Sequence, residues 1–193
     1  MRVAFLEIPA IALIQPKRFG DERGYFVETF NARLFREQVA NAVFVQDNEA
    51  LSGQVGTLRG LHFQRPPTAQ GKLVRVVKGA IFDVAVDIRV GSPTFGKHVA
   101  VRLDAAEGAQ LWVPPGFAHG YCTLEPDTLV SYKVTDFYSP ADDAGVSWND
   151  PALGIDWPLG PNGAVLSAKD TKLPVLADLP PIFTYDAASE TER

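Results

Sequence analysis

The sequence predicts an all-β protein, a barrel or sandwich of short strands, on three observations. Glycine (16) and proline (15) are plentiful and spread along the chain, which suits many strands joined by tight turns better than a few long helices. Alternating or continuous β-branched runs recur, each bounded by glycine, proline or an acidic turn. The 193 residues, 46% of them hydrophobic, suffice for one well-formed core and would leave two cores marginal, so one domain spanning residues 1–193 is expected.

The elements follow in chain order. Ala32 to Ala40 is the best helix candidate, with Leu34, Phe35, Gln38 and Val39 at helical spacing and Asn31 able to cap the start. It is short, and it is expected outside the sheets with few other helices. VFVQDN at 43–48 reads as a strand. KLVRVVKGAIFDVAVDIRV at 72–90 is long enough for two, and Lys78-Gly79 inside it is expected to turn one into the next. KHVAVRL at 97–103, AQLWVPP at 109–115 and TLVSYKVTDFY at 128–138 are further strands. From Ser139 to Asn162 the chain is rich in Pro, Asp, Gly and Trp, which suggests ordered irregular structure covering the sheets. The polar end, AASETER, is expected to fray.

Composition narrows the function classes. A net charge of -5 supplies no general basic surface, so nucleic acid is not an expected partner, and any phosphate must be met by local arginine or lysine. Cys122 is the only cysteine; no intrachain disulfide can form, a reducing compartment fits, and the residue reads as a small buried hydrophobe. The opening MRVAFLEIPAIALI is interrupted by Glu7 and Pro9 with no small-residue cleavage pattern after it, and no apolar run reaches membrane-spanning length. A cytoplasmic protein without a membrane partner is expected.

Two stretches carry chemistry. In GTLRGLHFQ (56–64), a strand puts Arg59, Leu61 and Phe63 on one face and Gly60, His62 and Gln64 on the other. Glycine at 60 is expected to leave room for a close approach beside His62. A lone histidine is more often structural, but here an arginine, a glutamine and Lys72 of QGKLV converge on it. In a predicted strand, Tyr132 offers a phenol. Histidine as base, lysine as a fixed positive charge and tyrosine as acid make a coherent set for removing a proton next to a carbonyl, and opposed donor and acceptor give inversion. By itself Tyr132 reads as a core aromatic.

The second stretch, GAQLWVPPGFAHGY (108–121), spaces Gly108, Pro114, Gly116 and His119 in a way that resembles the second cupin motif. That resemblance implies a double-stranded β-helix, or jelly roll, with the histidine pointing inward. Metal-binding cupins carry two histidines one residue apart and then a glutamate in their first motif. Here His62 stands at the expected place, but the second position is Gln64 and no glutamate occurs between Gln64 and Arg89. Two remaining histidines are a poor site for a tightly held transition metal, so no metal and no cofactor are expected.

Taken together, FGDERGYFVETF (19–30), FVQDNEALS (44–52), TLRGLHFQ (57–64), AQGKLVRVVKG (69–79), FDVAVDIRVGSPTFG (82–96), VPPGFAHGY (113–121), SYKVTDFYSP (131–140), WNDP, IDWP and LSAKD (166–170) closely resemble the dTDP-4-dehydrorhamnose 3,5-epimerase family over nearly the whole chain. The resemblance implies a cupin-like jelly roll acting on dTDP-4-dehydro-6-deoxy-D-glucose in dTDP-L-rhamnose synthesis. It implies His62 as general base with Asp170 as its partner, Tyr132 as proton donor and Lys72 beside the enolate. By itself Asp170 reads as a solvated turn residue. Asp83 and His119 match positions near the base and the sugar, as direct contacts or as support from behind. For the nucleotide, the implied recognition positions are Arg23, Phe26, Glu28, Gln46, Asn48, Arg59 and Tyr138, with Lys169 and Asp143 also near the ligand. Asp143 departs from the glutamate usual there. The DERG segment is implied to reach a neighbouring subunit's site, hence a homodimer. Two alternatives stay open: an epimerase inverting only C3 or C5 of a related 4-keto-sugar, and a metal-dependent cupin enzyme.

Overall fold

Branched residues at alternate positions of several strands give each strand one apolar face, and those faces meet in a single cluster. Val74, Val76, Leu111, Val113 and Val130 come from one sheet, and Ile81, Ala85, Val99, Leu103, Phe117 and Tyr121 from the other; all are buried. In the computed structural model, which describes residues 1–187, the chain runs β1 (Arg2–Phe5), β2 (Ala12–Gln15), β3 (Arg18–Asp21), β4 (Gly24–Val27), α1 (Ala32–Gln38), β5 (Gln46–Ser52), β6 (Leu58–Gln64), β7 (Lys72–Lys78) and β8 (Ala80–Asp87). It continues through β9 (Arg89–Val90), β10 (His98–Asp104), β11 (Gln110–Val113), β12 (Phe117–Thr123), β13 (Thr128–Val134), β14 (Asp143–Gly145) and β15 (Phe183–Thr184).

A six-stranded sheet, ordered β1-β2-β11-β7-β13-β5, packs on a five-stranded sheet, ordered β10-β8-β12-β6-β14. The chain passes back and forth between them, as in a cupin-like double-stranded β-helix. Gly79 makes one of these passages: its φ of +80° is open to glycine, and a Cβ there would lie 2.3 Å from the Thr128 hydroxyl. The expected turn at Lys78-Gly79 is therefore present, and it changes sheet.

Both outer faces are also covered. Phe35 of α1 and Val39 just beyond its end pack with Phe30 and Phe44 onto Ala12, Ile14, Leu73 and Trp112, the aromatic rings meeting mostly edge to face. Asn31 caps the helix as expected, accepting from the Leu34 amide. The helix ends at Gln38, two residues short of the expected end, and of its four spaced residues only Phe35 and Val39 are buried. On the other side Val146, Leu153, Trp157, Leu176, Ile182 and Phe183 cover Leu61, Phe63, Val84, Val86 and Ala118, so the irregular stretch beyond Ser139 does clothe a sheet.

Some strand boundaries differ from expectation. The strand expected at 43–48 starts at Gln46 and runs to Ser52, because Phe44 is committed to the aromatic cluster and β13 supplies ladder partners only from Val134 to Thr128. The runs at 109–115 and 128–138 shorten to β11 and β13, where proline and an irregular segment end the pairing. The short β1 and β2 lie in the apolar opening stretch on either side of Glu7 and Pro9, β3 and β4 carry no long apolar run to announce them, and β12 is a central strand buried along its whole length despite its glycine and histidine. Cys122 in β12 is free and buried, and burial pushes its thiol up to about 11. Apart from Ala187, the polar end expected to fray lies outside the described residues. Among the described residues no helix is long and apolar enough to cross a membrane.

Candidate active site

The site begins with a bulge in β6. His62 pairs with His119 of β12 and Arg59 pairs with Tyr121, so three steps on β6 oppose two on β12. The extra residue cancels the strict alternation that sets Arg59 and His62 on opposite faces, and both line one cavity. Gly60 lies in this bulge with φ +134°. A Cβ there would lie 2.5 Å from the Gly120 Cα. The close approach predicted beside His62 is thus made by the neighbouring strand's backbone, and no ligand space is left at Gly60.

The cavity, of about 360 Å³, is lined by Arg59, His62, Lys72, His119, Tyr121, Tyr132 and Asp170 together with apolar side chains such as Leu58 and Leu166. The His62 Nε2 lies 2.5 Å from the Asp170 Oδ1. Asp170 arrives on a one-turn 3-10 helix, and the preceding Val165 is stitched beside the start of β6 by hydrogen bonds to Gly56 and Leu58. The Ser167 hydroxyl donates to the other carboxylate oxygen at 2.8 Å. Burial alone would raise the Asp170 carboxyl. Its hydrogen bond to His62, the His62 charge, Ser167 and Lys169 outweigh this and hold it below the usual range.

His62 stands on the five-stranded sheet, and Lys72 and Tyr132 face the cavity from the six-stranded one. The Lys72 ammonium donates to the His62 carbonyl at 3.1 Å. Burial lowers this ammonium to about 8, against the opposing pull of Asp143 and Asp83. Burial also raises the phenol of Tyr132, with Arg59 acting in the other direction, so Tyr132 keeps its proton near neutrality. His119 bonds through Nε2 to Asp83 at 2.6 Å. Asp83 is fully buried on β8, and its second oxygen has no hydrogen bond.

A second hollow of about 320 Å³ shares His62, Lys72 and Tyr132 with the first, and adds Gln46, Asn48, Gln64, Tyr138, Asp143 and Lys169. Asp143 accepts from the Tyr138 hydroxyl at 3.3 Å and from the Lys169 ammonium. Gln46 bridges the Asn48 side chain and the Tyr138 amide. The two hollows therefore form one cleft, with the histidine, lysine and phenol where they meet.

The structure thus brings together His62, Lys72, Tyr132, Asp170, Arg59, His119, Gln46, Asn48, Tyr138, Asp143 and Lys169, with Asp83 behind His119. It does not bring Arg23, Phe26 or Glu28 to either hollow. Arg23 is paired with Asp21 on the β3–β4 hairpin, Phe26 is 70% exposed, and Glu28 accepts from the Asn31 side chain. Tyr121 and Ser167 were not singled out in the sequence, though Tyr121 follows His119 at the two-residue spacing of a shared strand face. Among the described residues no group of three or more His, Cys, Asp or Glu stands where it could hold a metal ion.

Residues 5–178 match the family model described as dTDP-4-dehydrorhamnose 3,5-epimerase. A dTDP-4-dehydrorhamnose 3,5-epimerase of Sinorhizobium fredii is 58% identical over 180 residues, 93% of this chain and 92% of that protein. One from Shigella flexneri is 52% identical over 88% of this chain and 93% of its own length. Among solved structures, the dTDP-6-deoxy-D-glucose-3,5-epimerase of Legionella pneumophila Philadelphia 1, in complex with dTDP-4-keto-L-rhamnose, superposes with a TM-score of 0.92 at 44% identity, covering 96% of this chain and 99% of that one.

Proposed function

The chain belongs to the dTDP-4-dehydrorhamnose 3,5-epimerase family, and from that premise we propose that it converts dTDP-4-dehydro-6-deoxy-D-glucose to dTDP-4-dehydro-L-rhamnose by moving protons on the two carbons beside the C4 ketone. One observation carries the mechanism. His62 with Asp170 stands on one wall of the cleft, and Tyr132 with Lys72 stands on the other.

His62 removes the carbon-bound proton, and the electron pair moves onto the C4 oxygen as an enolate. Asp170 holds the imidazole in one orientation and favours the imidazolium that forms. Lys72, charged below about pH 8, stabilises the enolate oxygen electrostatically. Tyr132 returns a proton to the opposite face of the same carbon, so the centre inverts. A proton then passes from His62 to Tyr132 through solvent and resets the pair. Repetition at the second flanking carbon completes the conversion. No cofactor enters these steps, and the donor set supports a site without metal: the Nε2 atoms of both histidines point to aspartates, and the Gln64 amide is occupied by backbone partners.

Arg59 supplies donors for the diphosphate, His119 lies near the sugar, and Gln46, Asn48 and Tyr138 line the nucleotide side of the cleft, with Lys169 and Asp143 also near the ligand. Lys169 pairs with Asp143 in the structure, which supports a role for Asp143 in orienting that lysine despite its shorter side chain. Arg23, Phe26 and Glu28 act in a homodimer, from a hairpin that carries Phe19, Tyr25 and Phe26 outward and completes the partner's cleft. Residues 1–193 act as one domain.

Incubation with dTDP-4-dehydro-6-deoxy-D-glucose in deuterated water tests the reaction. Deuterium at both C3 and C5 of the product is expected. Label at one carbon alone would convert the reading to a single-centre epimerase, and unlabelled product would remove the solvent-exchanging route through His62 and Tyr132.

A further inference from the structure

We infer that Gln64, the residue standing where a metal-binding cupin has its second histidine, is a positioning residue for the nucleotide side of the cleft and acts through Tyr138. The inference rests on the reading above that Tyr138 contacts the nucleotide.

Gln64 lies two residues beyond His62 at the end of β6 and is 3% exposed. Its amide nitrogen donates to the Thr68 carbonyl at 2.6 Å and to the Phe137 carbonyl at 3.1 Å, and its oxygen accepts from the Ser139 amide at 2.9 Å. Phe137 and Ser139 are the two neighbours of Tyr138. The Gln64 side chain therefore grips the backbone immediately before and after Tyr138, in a segment that has left β13 and has no sheet ladder of its own. Tyr138 is 58% exposed, held by its hydroxyl bond to Asp143 and its amide bond to Gln46. Asp142 adds a second tie, accepting from the hydroxyls of Thr68 and Ser139 at 2.8 Å.

The chemistry at this position requires an amide. It must donate to two carbonyls and accept from one N–H at the same time, which neither a carboxylate nor an apolar side chain can do. A glutamate would set its oxygens against the Phe137 and Thr68 carbonyls, and a leucine would leave three backbone groups without partners. Either change releases the Tyr138 segment and leaves His62, Lys72 and Tyr132 on their strands. A contact that holds the nucleotide equally in ground and transition states raises KM and spares kcat when it is lost, and this is the behaviour assigned to Tyr138.

The test compares Gln64→Glu, Gln64→Leu, Tyr138→Ala and the double variants by kcat, KM and the Kd for dTDP. Each Gln64 variant is expected to raise KM and the dTDP Kd by about tenfold, with kcat within about threefold of the parent. In the Tyr138→Ala background the Gln64 changes should add less than about twofold, because the group they position is gone. A Gln64 effect of equal size in both backgrounds, a fall in kcat at constant KM, or an unchanged dTDP Kd would each overturn the inference. If Gln64→Glu does not fold, Gln64→Leu decides. Tyr138→Ala with unaltered dTDP affinity would instead sink the role given to Tyr138, so the two failures can be told apart.

Discussion

Two histidine–aspartate pairs have their imidazoles side by side on the five-stranded sheet, and they are built differently. His62 and His119 face each other directly across β6 and β12. His119 takes its aspartate from within the sheet: Asp83 lies on the next strand opposite Tyr121, so register alone places it. His62 takes its aspartate from a one-turn helix 108 residues away, outside the sheet. The His119 side chain is 8% exposed and the His62 side chain 29%. A pair closed within the sheet suits holding a ligand group in a fixed place. A pair with one member in the sheet and one supplied by the covering segment leaves its imidazole open to the cleft, which proton abstraction needs.

The comparison can be broken at its strongest point by removing each imidazole. His62→Ala is expected to lower kcat by about 10³-fold or more, whereas His119→Ala should act mainly on KM, at about tenfold to a hundredfold. Steady-state kinetics with wash-in of solvent deuterium would read both, and equal losses of kcat would erase the distinction. The aspartates provide a finer version. Asp170→Asn should lower kcat by roughly 10² to 10⁴, because an amide neither favours the imidazolium nor holds the same tautomer. Asp83→Asn should cost about tenfold, chiefly in KM. A larger kcat loss from Asp83→Asn than from Asp170→Asn would reverse the assignment.

The smallest expected effect concerns the opposite wall. Burial lowers the Lys72 ammonium from 10.5 to about 8, so the residue is charged below that pH and neutral above it. kcat/KM should therefore fall as pH rises through about 8, by about tenfold at the plateau. Lys72→Met should be slow at all pH values and show no such descent. A wild-type profile flat from pH 7 to about 10 would deny Lys72 its electrostatic role. The same shift has a stability consequence of definite sign. The fold disfavours the charged lysine, so the penalty is full below about 8 and is relieved as pH rises towards the unfolded value of 10.5.

Much of this was legible in the sequence because its signals are local. β-branched runs and their bounding glycines and prolines mark β7, β8, β10 and most of β13, and Asn31 announces α1 through the chemistry of a cap. The motif itself shows Gln64 where metal-binding cupins carry a second histidine, and it is from that local departure that no metal is expected at His62. Less was legible where partners decide. Strand β12, glycine- and histidine-containing, becomes a central strand only because β8 and β6 flank it, and the strand beginning at Gln46 owes its limits to β13 and to Phe44's place in an aromatic cluster.

By itself the sequence determined an all-β chain with a histidine, a lysine and a phenol suited to proton transfer, since side-chain type and strand period are properties of neighbouring residues. Only the tertiary structure decided which of them share a cavity. The bulge at Gly60 moves Arg59 to the side of His62, Asp170 comes from the covering segment to the imidazole, and Gln64 holds the backbone around Tyr138. Those three arrangements depend on register and long-range contact, which no periodicity in the chain encodes.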